Sequence, residues 1–87
     1  MYYIVVYDIG VDRVQRMMKL MRMYLNHVQN SVFEGELTDA QLEELKDQAK
    51  EIMVKDHDSI IIYCVGSKRW SNREVLGVEK ESPDSFI

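Results

Sequence analysis

Every residue from Tyr2 to Tyr7 is apolar or aromatic, so this run has no polar side to offer water. β-Branched and aromatic side chains favour a largely buried strand here. Tyr3, Val5 and Tyr7 define one face and Tyr2, Ile4 and Val6 the other, and a fold built round such a strand must cover both. Ser59 to Val65 is a second run of this kind, and its β-branched density marks a central strand. In a chain of 87 residues, two domains would each be too small to bury a core without disulfides or metals. A single domain is therefore expected over 1–78, including a short strand at 74–78, with a tail at 79–87.

Between these strands the pattern turns helical. Val14, Met17, Met18, Met21 and Leu25 recur on one face, and Asp12 with Gln15 three residues on has the spacing of a capping box. At about 100° per residue, Arg13, Arg16, Lys19 and Arg22 fan out over the opposite side and make it cationic. The segment from His27 to Leu37 is strand-like but interrupted by Asn30 and Gly35, which predicts one kinked strand or two short ones. Thr38 and Gln41 form the second capping box, ahead of a helix whose buried stripe is Leu42, Leu45, Ala49, Ile52 and Met53. After the central strand, 66–73 reads as loop and 74–78 as a short strand, with Pro83 breaking the tail. This order predicts an α+β sandwich with two helices on one face of an antiparallel sheet. The other face needs a cover, and a second copy of the chain, a homodimer, is the simplest one.

Charge is segregated along the chain. Residues 1–33 carry a net +2, residues 34–58 a net −6, and residues 59–87 balance, giving −4 overall. The average argues against a nucleic-acid binder, yet the segregation lets one surface be basic while another repels polyanions or recruits a basic partner. The single cysteine, Cys64, excludes an intrachain disulfide and is expected to pack in its strand. His27 and His57 have no second ligand at metal spacing, so a zinc site is not expected. No apolar run approaches the roughly 20 residues of a membrane span, and the first residues lack the form of a secretion signal. The cytoplasm is the expected compartment. The methionines 17, 18, 21, 23 and 53 read mainly as core filler.

Three stretches carry a resemblance that spans nearly the whole chain. The strand ending Val5-Val6-Tyr7-Asp8-Ile9 before a basic helix, the run Val28-Gln29-Asn30-Ser31-Val32-Phe33-Glu34-Gly35-Glu36-Leu37, and Asp58-Ser59-Ile60-Ile61-Ile62-Tyr63 together resemble the CRISPR-associated protein two family. That resemblance implies a ferredoxin-like βαββαβ fold and a homodimer into which an extra C-terminal strand is exchanged. It also implies a role in spacer acquisition beside the CRISPR spacer integrase, binding of duplex DNA or RNA, and a nuclease activity dependent on Mg2+ or Mn2+. Carried over by position, it implies Asp8 as metal ligand and catalytic carboxylate, Tyr7 as its catalytic neighbour, and Phe33 as a motif-supporting ring. Arg16, and after it Arg13, match the arginines of the first helix, with Lys19 and Arg22 extending the nucleic-acid-binding face. Many members place an arginine just before the Val-Gln pair. This chain has His27 there, a poorer phosphate clamp than arginine.

On residue chemistry alone, Asp8 has a plainer role, closing the turn after its strand. A single carboxylate is a poor site for Mg2+, which takes one or two carboxylates with water and phosphate oxygens; a two-fold axis pairing two copies of Asp8 would supply the second. Trp70, set among Lys68, Arg69 and Arg73, is a candidate for stacking on a nucleic acid or simply part of the loop leading to the tail. Two functional classes follow: a binding module that holds duplex DNA and joins integrase subunits, and a Mg2+-dependent phosphodiesterase, to which a toxin-type endoribonuclease of the same fold is closely related.

Overall fold

The computed structural model describes residues 1–66 and 70–79, with the side chains of residues 70–72 left out. The elements are β1 (Tyr2–Asp8), α1 (Val14–Tyr24), β2 (Asn26–Gln29), β3 (Val32–Glu36), α2 (Asp39–Ile52), β4 (Ser59–Val65) and β5 (Trp70–Gly77). They form one antiparallel sheet in the order β2-β3-β1-β4-β5. The first four strands have the ferredoxin-like arrangement, and the two mostly apolar strands, β1 and β4, lie side by side in the middle. Among the described residues no helix is long and apolar enough to cross a membrane.

Register decides what the sheet buries. Val5 stands opposite both Phe33 and Ile62, so these three share a face, and all belong to a core with Met17, Leu20 and Met21 of α1 and Leu45 and Ala49 of α2. Val6 stands opposite Val32 and Ile61. These three are buried but lie outside the helix-packed cluster, on the face turned from the helices. Burial on both faces is what the sequence of β1 demands.

α2 begins as expected: Gln41 N–H donates to Thr38 Oγ1 at 3.1 Å and Thr38 N–H donates to Gln41 Oε1 at 2.9 Å. α1 does not. Its N-cap is Arg13, without a side-chain cap, because the Asp12 carboxylate accepts from Arg13 Nη1 at 2.9 and 3.1 Å. The 27–37 segment is a hairpin of two strands. Asn30 makes its turn at φ 44°, a conformation asparagine tolerates, and the register slips between His27 and Gln29. Gly35 sits in regular pairing opposite Tyr3, so it is not the bulge its composition suggested. Met23, read as core, is exposed.

The C-terminal strand corrects a larger expectation. It runs over Trp70–Gly77, not 74–78, and in this single chain pairs along β4 from Ser59↔Gly77 to Val65↔Trp70. Residues 70–73, read as loop, are strand. Lys68, Arg69 and the tail from residue 80 onward, Pro83 included, lie outside the described residues, as does any stacking by the Trp70 side chain.

Candidate metal and nucleic-acid site

Asp8 ends β1 opposite Ser59, the first residue of β4. Directly paired residues project to one side of a sheet, so the half-buried Asp8 carboxylate and the Ser59 hydroxyl share the face turned from the helices. Ser59 is fully buried, and its Oγ has no hydrogen-bond partner among the described residues. An oxygen-only donor set of a carboxylate beside an orphaned hydroxyl suits a hard cation that completes its shell with water and phosphate oxygens. It does not suit zinc. Among the described residues no three His, Cys, Asp or Glu side chains gather as a metal cluster, so a single chain brings one carboxylate to this point.

The chain leaving Asp8 is tightly held. Ile9 packs on the core, Gly10 N–H donates to Asp58 Oδ1 at 2.9 Å, and Arg13 N–H donates to Gly10 O at 2.9 Å. Arg13 grips Asp58 in a fork, Nε to Oδ2 and Nη2 to Oδ1, each at 2.8 Å. Val54 N–H adds a fourth bond, to Oδ2 at 2.8 Å. Asp58 is 1 % exposed. The Arg13 fork, with the Val54 and Gly10 amides, holds its carboxyl well below the usual aspartate range, against the opposing effect of burial. Arg13 is thus no surface cation for phosphate. The helical wheel placed it outside because it took the helix to have begun; as N-cap, Arg13 turns back over Gly10 into the protein.

The other cations of α1 keep their exposure. Arg16, Lys19 and Arg22 make no ion pair with a described residue and face solvent. Arg16 and Lys19 flank an open groove between the helices, with Met23, Gln48 and Ile52, whereas Arg22 lies about 60° beyond Lys19 at about 100° per residue. The basic face is therefore narrower than the fan of four. On α2, Asp39, Glu43, Glu44, Asp47 and Glu51 are exposed, while Lys46 is taken up by Glu43 and Glu74. The acidic helix keeps its sign at the surface.

Two implied site residues prove to be core. Tyr7 is 1 % exposed and stacks on Phe33 with ring centroids 6.0 Å apart. Alternation along β1 directs its ring among the helices, to the side away from the Asp8 carboxylate. Burial pushes its phenol pKa up, with Arg22 opposing. Its hydroxyl has no partner among the described residues. Phe33 is fully buried and on its other side meets His27, at 4.7 Å. His27 Nε2 lies 2.8 Å from Asn30 O, so this histidine fastens its own hairpin turn, and a ladder of three rings crosses β2, β3 and β1.

Asp58 is the residue that sequence reasoning missed. In the run Lys55-Asp56-His57-Asp58 it looks like any turn residue, and its partner Arg13 lies 45 residues away. Its local signals are its place directly before a β-prone run and at the head of a stretch that carries the resemblance, neither of which points to Arg13.

Residues 1–73 match the model of the family described as CRISPR associated protein Cas2. The chain is 49 % identical over 87 residues, the whole of both chains, to the CRISPR-associated endoribonuclease Cas2 of Pyrococcus furiosus. It is 52 % identical over 79 residues to CRISPR-associated endoribonuclease Cas2 2 of Archaeoglobus fulgidus, covering 91 % of this chain and 86 % of that one. The crystal structure of Streptococcus pyogenes Cas2 at pH 6.5 superposes with a TM-score of 0.71 at 32 % identity, covering 78 % of this chain and 89 % of that chain.

Proposed function

This chain belongs to the CRISPR-associated Cas2 family, and on that premise we propose that it is a metal-dependent endonuclease whose reacting centre is Asp8. The observation that supports this most is the position of the carboxylate. It sits at a strand end whose exit is fastened by three hydrogen bonds to Asp58, beside a hydroxyl with no partner among the described residues and one loop away from the exposed cations of α1. Its full-length relative in Pyrococcus furiosus carries the name endoribonuclease, and we take RNA as the first substrate to test.

Asp8, with Ser59 beside it, would hold Mg2+ or Mn2+, and a second Asp8 brought by a homodimer would complete the carboxylate pair. The bound cation supplies Lewis acidity toward a phosphoryl oxygen and a lower pKa for its water. Arg16 and Lys19 attract the phosphodiester backbone, and the held loop keeps Asp8 from wandering as substrate arrives. Neither Tyr7 nor Arg13 takes part in proton transfer. Cleavage of single-stranded RNA should stop in EDTA and return with Mn2+. Asp8→Asn should abolish it while leaving Tm within a few degrees; an Asp8→Asn protein that cuts as fast as wild type overturns the assignment.

The segregated surface favours a second role in the same protein. Exposed cations on α1 and exposed acids on α2 suit a subunit that holds duplex DNA on one side and docks a basic partner, the spacer integrase, on the other.

A further inference from the structure

We infer that Asp58 is a positioning residue for Asp8, acting through the Gly10 amide and the Arg13 guanidinium. The inference rests on the reading of Asp8 as the metal ligand.

Asp58 has no capacity left for chemistry of its own. A carboxylate offers about four lone-pair sites. Here Oδ1 accepts from Gly10 N–H and Arg13 Nη2, and Oδ2 accepts from Val54 N–H and Arg13 Nε. With every site filled and 1 % exposure, it can neither reach a substrate nor ligate a cation. What it can do is hold three points of the backbone together: the loop after β1, the start of α1 and the end of α2.

The held loop is the one that matters to Asp8. Ladder pairing of β1 ends at Asp8↔Ser59, and strand ends are where pairing frays. Gly10 lies two residues beyond, and its bond to Asp58 closes the fray. Asp58 is itself fixed from the far side of the sheet, since Val78 N–H donates to Asp58 O at 3.0 Å and Gly77 lies against the Asp58 backbone. Gly10 is needed for the clamp, because a Cβ there would collide with the Arg13 guanidinium. A buried ion pair adds little net stability against an apolar replacement; a fork of fixed geometry gives position instead.

The test uses the full-length protein, with Mn2+ as probe. Binding is followed by electron paramagnetic resonance and backbone motion by amide hydrogen exchange. Asp58→Asn removes the charge and one acceptor while keeping shape, and Gly10→Ala displaces the guanidinium with Asp58 left intact. In either variant that folds, the amide of residue 10 should exchange at least about tenfold faster, and in Asp58→Asn the Val54 amide as well. Mn2+ affinity should fall by about 10- to 100-fold, the range for lost supporting partners of a ligand. The Mn2+ concentration for half-maximal cleavage should rise in step, with the rate at saturating Mn2+ much less changed. Faster exchange with unchanged Mn2+ affinity overturns the positioning role and leaves Asp58 merely structural. If Asp8→Asn binds Mn2+ as tightly as wild type, Asp8 is not the ligand, and the premise and this inference fall together.

Discussion

Tyr7→Phe separates a catalytic tyrosine from a core one more sharply than any truncation. The substitution removes a single oxygen, keeps the ring that stacks on Phe33 at 6.0 Å, and leaves the neighbouring Asp8 untouched. This oxygen is buried and has no partner among the described residues, and a buried hydroxyl without a hydrogen bond opposes folding by about 1–3 kcal/mol. The void left by one oxygen offsets part of that gain. A net stabilisation of about 1 kcal/mol is expected, which in a domain of this size raises Tm by about 4–8 °C. Calorimetry at pH 7 reads the stability, and Mn2+-dependent RNA cleavage, measured well below both transitions, reads the chemistry. Cleavage should stay within about twofold of wild type, since less than 0.5 kcal/mol of barrier would then separate the two. A drop of 100-fold or more with Tm unchanged would show that Tyr7 reaches the reacting centre. A clear fall in Tm would show that its hydroxyl has a partner.

Three further perturbations act on other parts of the molecule. Gly77 has φ 83° and its missing Cβ would meet Asp58 O, so Gly77→Ala combines left-handed strain with a collision. It should destabilise by about 2–3 kcal/mol, a fall of roughly 10–20 °C; a Tm within about 2 °C of wild type refutes the tight approach. The depressed pKa of Asp58 gives stability that is complete above the ordinary aspartate value of 3.8 and is lost as pH falls from there toward the lower folded value. The stability gap between wild type and Asp58→Asn in urea should therefore be constant from pH 7 to 5 and shrink below pH 4; a gap that widens on acidification contradicts the ion pair. With Arg13 turned inward, three exposed cations per chain, unpaired among the described residues, remain on α1. If half of a dimer's six meet phosphates, the log–log salt slope for duplex binding should be roughly −3. Charge reversal at Arg16 and Lys19 should flatten it, and an unchanged slope in the integrase complex removes α1 from the DNA interface.

What the sequence reveals depends on how locally each feature is encoded. Alternation and β-branching are properties of neighbouring residues, so β1, β4 and the two-sided burial of Val5 and Val6 are legible directly. So is the Thr38–Gln41 box, whose two bonds span three residues. The α1 cap is not, because Asp12 has the right type and spacing but a nearby cation takes its carboxylate. β5 is extended at its polar end as well: Ser71, Asn72 and Arg73 lack β propensity, yet β4 offers backbone partners whatever the side chains are. The site divides in the same way. Asp8 is legible because it ends an apolar strand, and the exposed cations Arg16 and Lys19 because they oppose an apolar stripe. Arg13 is misread as a phosphate contact and Asp58 is given no role, since each looks like a surface charge until the fold brings the two into contact. A charged residue just outside a helix start and another just before a central strand lie at the same end of a two-layer sandwich. At that end the loops meet, and two opposite charges there can leave water only as a pair. That placement, more than any motif, is what makes the exit from Asp8 rigid.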